Sequence, residues 1–403
     1  MRRGLIHALG ALLIGGAVGA CGSSGTGVSA ENQTIKIAII PPSTGALAEF
    51  GSAAAQAWEY AVAEVNAAGG VDGQKVELIT METDAQPATT LRAAREAVTQ
   101  KGAAFIGAVM TSPEHGALNR QLEGLNALSF NSLGKDDALT GKDCRPNAFR
   151  VVQSTRMDLN ALGQMLDELP GKKWAIQAVD YSTGHTSAEI FKEAAKRAGK
   201  EVVFEKYAPL NTTDFGPYIS ELRDSDADAL FAVEYGADGV AFVNQLAQFK
   251  LIDRFKTVLG FNMVSEPLFK ALGDKIVGFY NNVGYDVNAD NELNRKFVKG
   301  FQEKYGEQPY YVHADNYLAA QTLFAGIKAA RSADPGKVRE ALEDLTFDSI
   351  VGKVTMRGAD HQLLRPSYLG QVVKEGDGLA FKVIASADAA QTSPQPDPAC
   401  RMR

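Results

Sequence analysis

Residues 34–40 read TIKIAII, a β-branched run stopped at once by Pro41-Pro42. A run this short and apolar, closed by turn residues, predicts a strand buried on both faces. The period then changes. Phe50, Ala54, Trp58, Ala61, Val62 and Val65 fall at helical spacing, and Gly69-Gly70 ends that helix. Val76 to Met81 is a second strand, and Pro87 opens a helix whose apolar face is Leu91, Ala94, Ala97 and Val98. Ala103 to Val109 is a third strand, followed by a helix start at Ser112-Pro113-Glu114, and Ala127 to Asn131 is a fourth strand.

The same alternation restarts after Arg150. Strands are expected at Lys173–Val179, Val202–Tyr207, Ala229–Val233 and Thr257–Gly260, with helices at 214–224 and 238–250 among the elements between them. Alternating strands and helices build parallel sheets covered on both faces, and two such series make two Rossmann-like α/β lobes. From Asn291 the pattern is helical (291–305, 312–330, 335–345), with short strands near 352–356 and 367–373. These late pieces must complete sheets begun earlier, so the chain crosses between lobes more than once, and three crossings make a hinge. The expected division is 34–150 with 285–350 in lobe 1, 151–284 with 351–385 in lobe 2, and a tail over 386–403.

Upstream, MRRGLIHALGALLIGGAVGAC places Arg2 and Arg3 before an apolar run and the small residues Gly19 and Ala20 before Cys21. A positive start, a short apolar stretch and a small-residue cleavage site describe a secretory signal over 1–20, too short for a membrane span. Val18-Gly19-Ala20-Cys21 resembles a bacterial lipobox, which implies a lipid on Cys21; an ordinary signal with a chance cysteine is the plainer alternative. GSSGTGVSAENQ then reads as a flexible tether over 21–33. With Cys21 lipidated, Cys144 and Cys400 remain, and an even pair in an exported chain favours a disulfide fastening the tail to lobe 1.

The 403-residue chain is 45% hydrophobic and 22% charged, the balance of a soluble globular protein. Its net charge of −7 argues against a nucleic-acid partner, which needs a basic face. Histidines 115, 185, 313 and 361 stand singly, without metal-type spacing or a nucleophile elbow, so neither enzyme, metal nor cofactor is expected. Tyr310, Tyr311 and Tyr317 read as lobe packing rather than a cofactor box.

Taken in order, IKIAIIPPSTGALAEFG (35–51), AVAEVNAAGGVDGQKVELITMETDAQP (61–87), FIGAVMTSPEHGAL (105–118) and NSLGKDDALTGKDCRPNAFR (131–150) resemble the first lobe of the leucine/isoleucine/valine-binding protein family. KKWAIQAVDYSTGH (172–185) resembles the opening of its second lobe, and VGKVTMRGADHQ (351–362) a late strand and turn. The resemblance implies a type I periplasmic solute-binding protein of an ABC importer, with a small-molecule ligand in the interlobe cleft. It further implies permease subunits as partners, membrane contact through the lipid, a monomer, and a place in the periplasm or on the cell surface. A sensory module is the alternative use of such a fold; it should continue into a membrane helix or effector domain.

In open α/β sheets ligands sit beyond the carboxyl ends of strands, which nominates the residues just after them. Thr111 and Ser112, at a helix start, suit a ligand oxygen, although either also suits helix capping. Asn131 and Ser132, with Gly134, follow the next strand, where an Asn/Ser/Gly turn is the alternative reading. Phe50 stands where relatives carry an aromatic, to cover the ligand or pack the core. In lobe 2 the candidates are Tyr181 and Thr183 beside Asp180, then Glu234 and Tyr235, then Phe261 and Asn262. Amino-acid binders of the family place a carboxylate near that last pair to meet the ligand's ammonium, and this chain has none there. A buried ammonium needs an acid. Either Glu234, Asp238 or Glu266 supplies it, or the ligand is an organic acid, an aromatic or an amide.

Overall fold

The computed structural model describes residues 34–45 and 47–402; the signal and the whole tether, Cys21 included, lie outside the described residues. Fifteen strands are described. The first five are β1 (Ile35–Ile39), β2 (Val76–Thr80), β3 (Phe105–Gly107), β4 (Leu128–Asn131) and β5 (Ala148–Arg150). A second group is β6 (Lys173–Val179), β7 (Glu201–Ala208), β8 (Ala229–Val233), β9 (Thr257–Gly260) and β10 (Tyr280–Val283). The last are β11 (Thr346–Ser349), β12 (Gly352–Arg357), β13 (Gln362–Leu364), β14 (Ser367–Glu375) and β15 (Gly378–Ala387).

They form two sheets, ordered β11-β12-β13-β5-β4-β3-β1-β2 and β15-β14-β10-β9-β8-β6-β7. β1 to β5 pair in parallel, as do β6 to β10, with crossover connections that are mostly helical. Each sheet is finished by antiparallel late strands.

One boundary needs correcting. Residues 351–364 were expected in lobe 2, yet β12 and β13 belong to the first sheet, where Gln362 of β13 pairs with Arg150 of β5. The reason is the short turns: β11, β12 and β13 are a meander, and successive antiparallel strands stay together. Lobe 2 resumes at β14. The chain therefore passes between lobes at 151–154, 284–291 and 365–366.

Lobe 1 closes over Trp58, fully buried against the sheet. A Cβ on Gly107 would lie 2.3 Å from its ring, so β3 needs glycine there. The indole nitrogen of Trp58 donates to Asn316 Oδ1 at 3.1 Å, from the buried helix Tyr311–Ala330. Helix Glu292–Tyr305 returns to lobe 1 by packing Phe297 and Phe301 on Tyr60, ring centroids 5.9 and 5.7 Å apart. In lobe 2, Trp174, Phe191, Phe231 and Phe261 form the corresponding core, with Phe191 and Phe231 stacked at 4.1 Å.

All three crossings meet at one side chain. Arg365, fully buried, donates Nη2 to the Gly284 carbonyl at 2.8 Å and Nη1 to the Val151 carbonyl at 3.4 Å. Nη1 also pairs with Asp315 of lobe 1, itself fully buried. Gln153 adds a bond to the Pro366 carbonyl at 2.8 Å, and Gln362 one to the Val152 carbonyl at 2.9 Å. Cys144 and Cys400 are disulfide-bonded, 256 residues apart in sequence. Among the described residues no helix is long and apolar enough to cross a membrane.

Candidate functional site

The carboxyl ends of β9 and β10 in lobe 2 face the turn after β4 and the start of helix Tyr311–Ala330 in lobe 1. Lys135 and Tyr311 of lobe 1 line one cavity with Asn262, Glu266 and Asn282 of lobe 2 and Gly284 of the hinge. This inner end of the cleft holds about 20 Å³, the space of about one water molecule.

A polar network floors it. Lys135 Nζ donates to Asp158 Oδ2 at 2.6 Å and to Asn262 Oδ1 at 3.5 Å. Asn282 Nδ2 donates to the same two oxygens, at 3.2 and 2.8 Å, and Asn282 Oδ1 accepts from the Asn262 backbone at 2.7 Å. Asn262 holds φ at +52°, a left-handed conformation that asparagine tolerates better than most residues. That turn directs its amide to the interlobe side, where Lys135 reaches it.

Glu234 directly follows β8 and is fully buried. Its Oε1 accepts from Gln177 Nε2 at 3.0 Å, while Oε2 has no partner. Burial, with Asp238 adding repulsion, pushes its carboxyl up to about 7. Tyr235 follows it, with ring centroid 6.3 Å from that of Tyr181 and a buried hydroxyl without a partner. Tyr181 and Asn262 are the polar neighbours of that hydroxyl, and Thr183 lies beside the hydroxyl of Tyr181. Burial pushes Tyr181 up to about 12, with Glu234 and Asp238 contributing in the same direction.

Of the other two acids named from sequence, Asp238 is already engaged: its Oδ2 accepts from the Asn211 backbone at 2.7 Å. Glu266 has an unpartnered Oε2 and is pushed by burial up to about 7. Tyr310 and Tyr311, across the cleft in lobe 1, feel its charge.

Several candidates turn inward instead. Phe261 is fully buried in the lobe 2 core beside Phe231, and the residue after β9 continues the apolar face of its strand. Asn131 is spent on its own turn: Oδ1 accepts from the Leu133 and Gly134 backbones at 3.1 and 2.7 Å, and Nδ2 donates to the Gly134 carbonyl. Ser132 is fully buried and donates to Asn316 Oδ1 at 2.9 Å. Phe50 packs on the lobe 1 core while partly exposed.

Thr111 caps helix Ser112–Asn119. Its hydroxyl donates to Glu114 Oε2 at 2.7 Å, and the Glu114 side chain accepts the Thr111 backbone N–H at 2.8 Å. Ser112 Oγ accepts from the Asp136 backbone at 3.1 Å. We expect Thr111→Ala to lower stability by about 1 kcal/mol, the usual worth of an N-cap, with ligand affinity unchanged. A thermal melt with and without ligand checks this; weakened binding at unchanged stability would return Thr111 to the site.

Lys135, Asp158 and Asn282 were missed in the sequence. Only Lys135 carried a signal, as the residue just past the Asn131–Gly134 turn.

Two α/β lobes, joined by three short crossings and enclosing a polar cleft at their strand ends, define a two-lobed ligand-binding protein. Residues 34–377 match the family described as periplasmic binding protein, and the chain belongs to it. It is 28% identical over 388 residues to Leu/Ile/Val-binding protein homolog 8 of Brucella suis, covering 91% of this chain and 95% of the relative. Among solved structures it resembles a solute-binding protein of an ABC transporter from Rhodopseudomonas palustris BisB5 in complex with 3,4-dihydroxybenzoic acid. That match has a TM-score of 0.80 at 23% identity, over 88% of this chain and 98% of the other. It also resembles an amino acid ABC transporter substrate-binding protein from Pseudomonas fluorescens Pf-5, with a TM-score of 0.81 at 24% identity, over 89% and 98%. These relatives are transport substrate-binding proteins rather than enzymes, and periplasmic binding proteins of ABC importers work outside the cytoplasm.

Proposed function

We propose that this protein is a lipid-anchored, extracytoplasmic solute-binding protein that captures a small organic ligand between its lobes and hands it to an ABC permease. Capture works by closure: the ligand bridges the two lobes, and the closed form is the shape the permease distinguishes. The observation that carries the reading is Glu234, a fully buried carboxylate with one oxygen unpartnered just after β8. A buried acceptor without a donor is costly, and a ligand N–H or O–H removes that cost. Tyr181 and Tyr235 flank it and supply apolar surface and two hydroxyls. The ligand is therefore one whose donor end, an ammonium, amide or phenol, meets Glu234. Amino-acid-like compounds and amides both qualify, and hydroxybenzoates, bound by some structural neighbours, qualify through the phenol.

A thermal-shift screen tests this. Leucine, isoleucine and valine, their deaminated acids, simple amides and 4-hydroxybenzoate form the panel. A true ligand at one hundred times its dissociation constant stabilises by ~2.7 kcal/mol. We expect donor-bearing compounds to stabilise and Glu234→Gln to weaken the best of them at least ~10-fold, the factor equivalent to about 1.4 kcal/mol. The ligand should also reduce the radius of gyration in solution scattering. Strong binding of a donor-free carboxylate, indifferent to Glu234→Gln, would overturn the assignment.

A further inference from the structure

After β15 the chain makes one more passage between lobes. Helix Ala389–Thr392 is held to lobe 2 by helix Thr155–Met165: Asn160 Nδ2 donates to the Thr392 carbonyl at 2.8 Å, and Gln164 Nε2 to the Gln391 carbonyl at 3.1 Å. Two residues later the chain is held by lobe 1, where Arg357 Nη1 donates to the Pro394 carbonyl at 2.8 Å. Arg357 is itself fixed by a two-pronged pairing with Asp360 at 2.8 and 2.6 Å. Beyond Pro394 the segment is mostly exposed, passes Gly141, and ends in the bond from Cys400 to Cys144.

The passage over 393–394 is thus as short as the crossing at Arg365-Pro366. It also lies beside the hinge. Ser154, Arg156 and Met157, at and just after the first crossing, share with Pro394, Pro396 and Pro398 the lining of a cavity of about 370 Å³. The segment therefore arches over the hinge without packing into it, and its three prolines keep the arch extended. Apart from the disulfide, one charged hydrogen bond and a few surface contacts hold its far end to lobe 1.

We propose that residues 393–400 are a strap, a fourth interlobe connection that sets the outer limit of lobe opening, with Cys144–Cys400 as its fastener. This rests on lobe movement as the capture motion proposed above. Moving the lobes apart lengthens the path from Thr392 to lobe 1, and a two-residue passage has no slack to give. The disulfide prevents the strap from yielding by peeling off.

Two variants of the purified protein test it without ligand. One inserts four glycines after Ser393 and leaves both cysteines in place. The other is Cys144→Ser with Cys400→Ser. The insertion hardly changes the cross-linked loop, so it leaves the entropic contribution of the disulfide intact while adding slack. Both variants should shift the ligand-free radius of gyration upward and speed hydrogen exchange at 151–154, 284–291 and Arg365. An unchanged radius and unchanged exchange in the insertion variant overturn the strap, whatever the cysteine variant does. A response to the insertion alone removes the disulfide from the mechanism. Ligand-induced compaction of the parent is a separate reading, so failure of closure is distinguishable from failure of the strap.

Discussion

Arg365→Met is expected to lower the unfolding free energy by about 3–5 kcal/mol, the loss typical when one partner of a buried ion pair is removed. Arg365 and Asp315 are both fully buried, and the substitution leaves the Asp315 carboxylate without its partner. It also strips the Gly284 and Val151 carbonyls of their donor. The pair is under-satisfied even as it stands, since Arg365 Nε and Asp315 Oδ2 have no partner. Replacing both residues by apolar ones, Arg365→Met with Asp315→Leu, should therefore recover much of the loss. Urea midpoints read by circular dichroism measure this. A single variant within 1 kcal/mol of the parent would show that the pair does not hold the hinge. Since all three crossings converge on Arg365, the double variant should regain stability yet keep faster hydrogen exchange at those crossings.

The fold was legible because most strands of the parallel cores are short apolar runs that end in a turn residue; β5, three residues long, and β10, which reads YNNV, carry no such signal and were not anticipated. TIKIAII followed by Pro41-Pro42 is the clearest such run, and its strand and helix sequel lie where the spacing placed them. What the spacing could not say was which sheet the late strands join. Nothing in the residues of β12 or β14 marks one for either sheet, and only the pairing of Gln362 in β13 with Arg150 ties the β11–β13 meander to lobe 1. For the candidate site, the sequence nominated Glu234 as a residue just after an apolar strand, and it lies there, buried, with one oxygen unpartnered. The site was illegible where one residue suits two jobs. Thr111 and Asn131 are equally good as cap and turn residues, and the structure uses their side chains that way. Lys135, Asp158 and Asn282 escaped notice because their network joins segments 23 and 124 residues apart, beyond any local pattern.

The pH dependence of stability should expose Glu234 directly. Its folded carboxyl titrates at about 7, against 4.5 for the same group in a free chain. The folded form therefore keeps a proton that the unfolded form has lost between these values, and stability falls as pH rises through that window. Below 4.5 both states are protonated and the penalty is absent; above 7 it is complete, on the order of 3 kcal/mol. Glu266 pulls in the same direction. His115, His313 and His361, pushed down to about 4 by burial, pull the opposite way below their usual value. The measurement is accordingly the difference between parent and Glu234→Gln, in which these other groups cancel. Glu234→Gln should gain on the parent by about 3 kcal/mol between pH 4.5 and 8; a difference independent of pH would mean that Glu234 is not a desolvated acid. Ligand should then reverse the effect. An ammonium against Oε2 favours the carboxylate, so binding near pH 6.5 should release protons, visible as calorimetric heats that depend on the ionisation enthalpy of the buffer. An amide or phenol leaves the shift in place and releases few. Proton uptake would mean that the ligand brings an anion to Glu234, and would exclude the donor-first pocket argued from its bare oxygen.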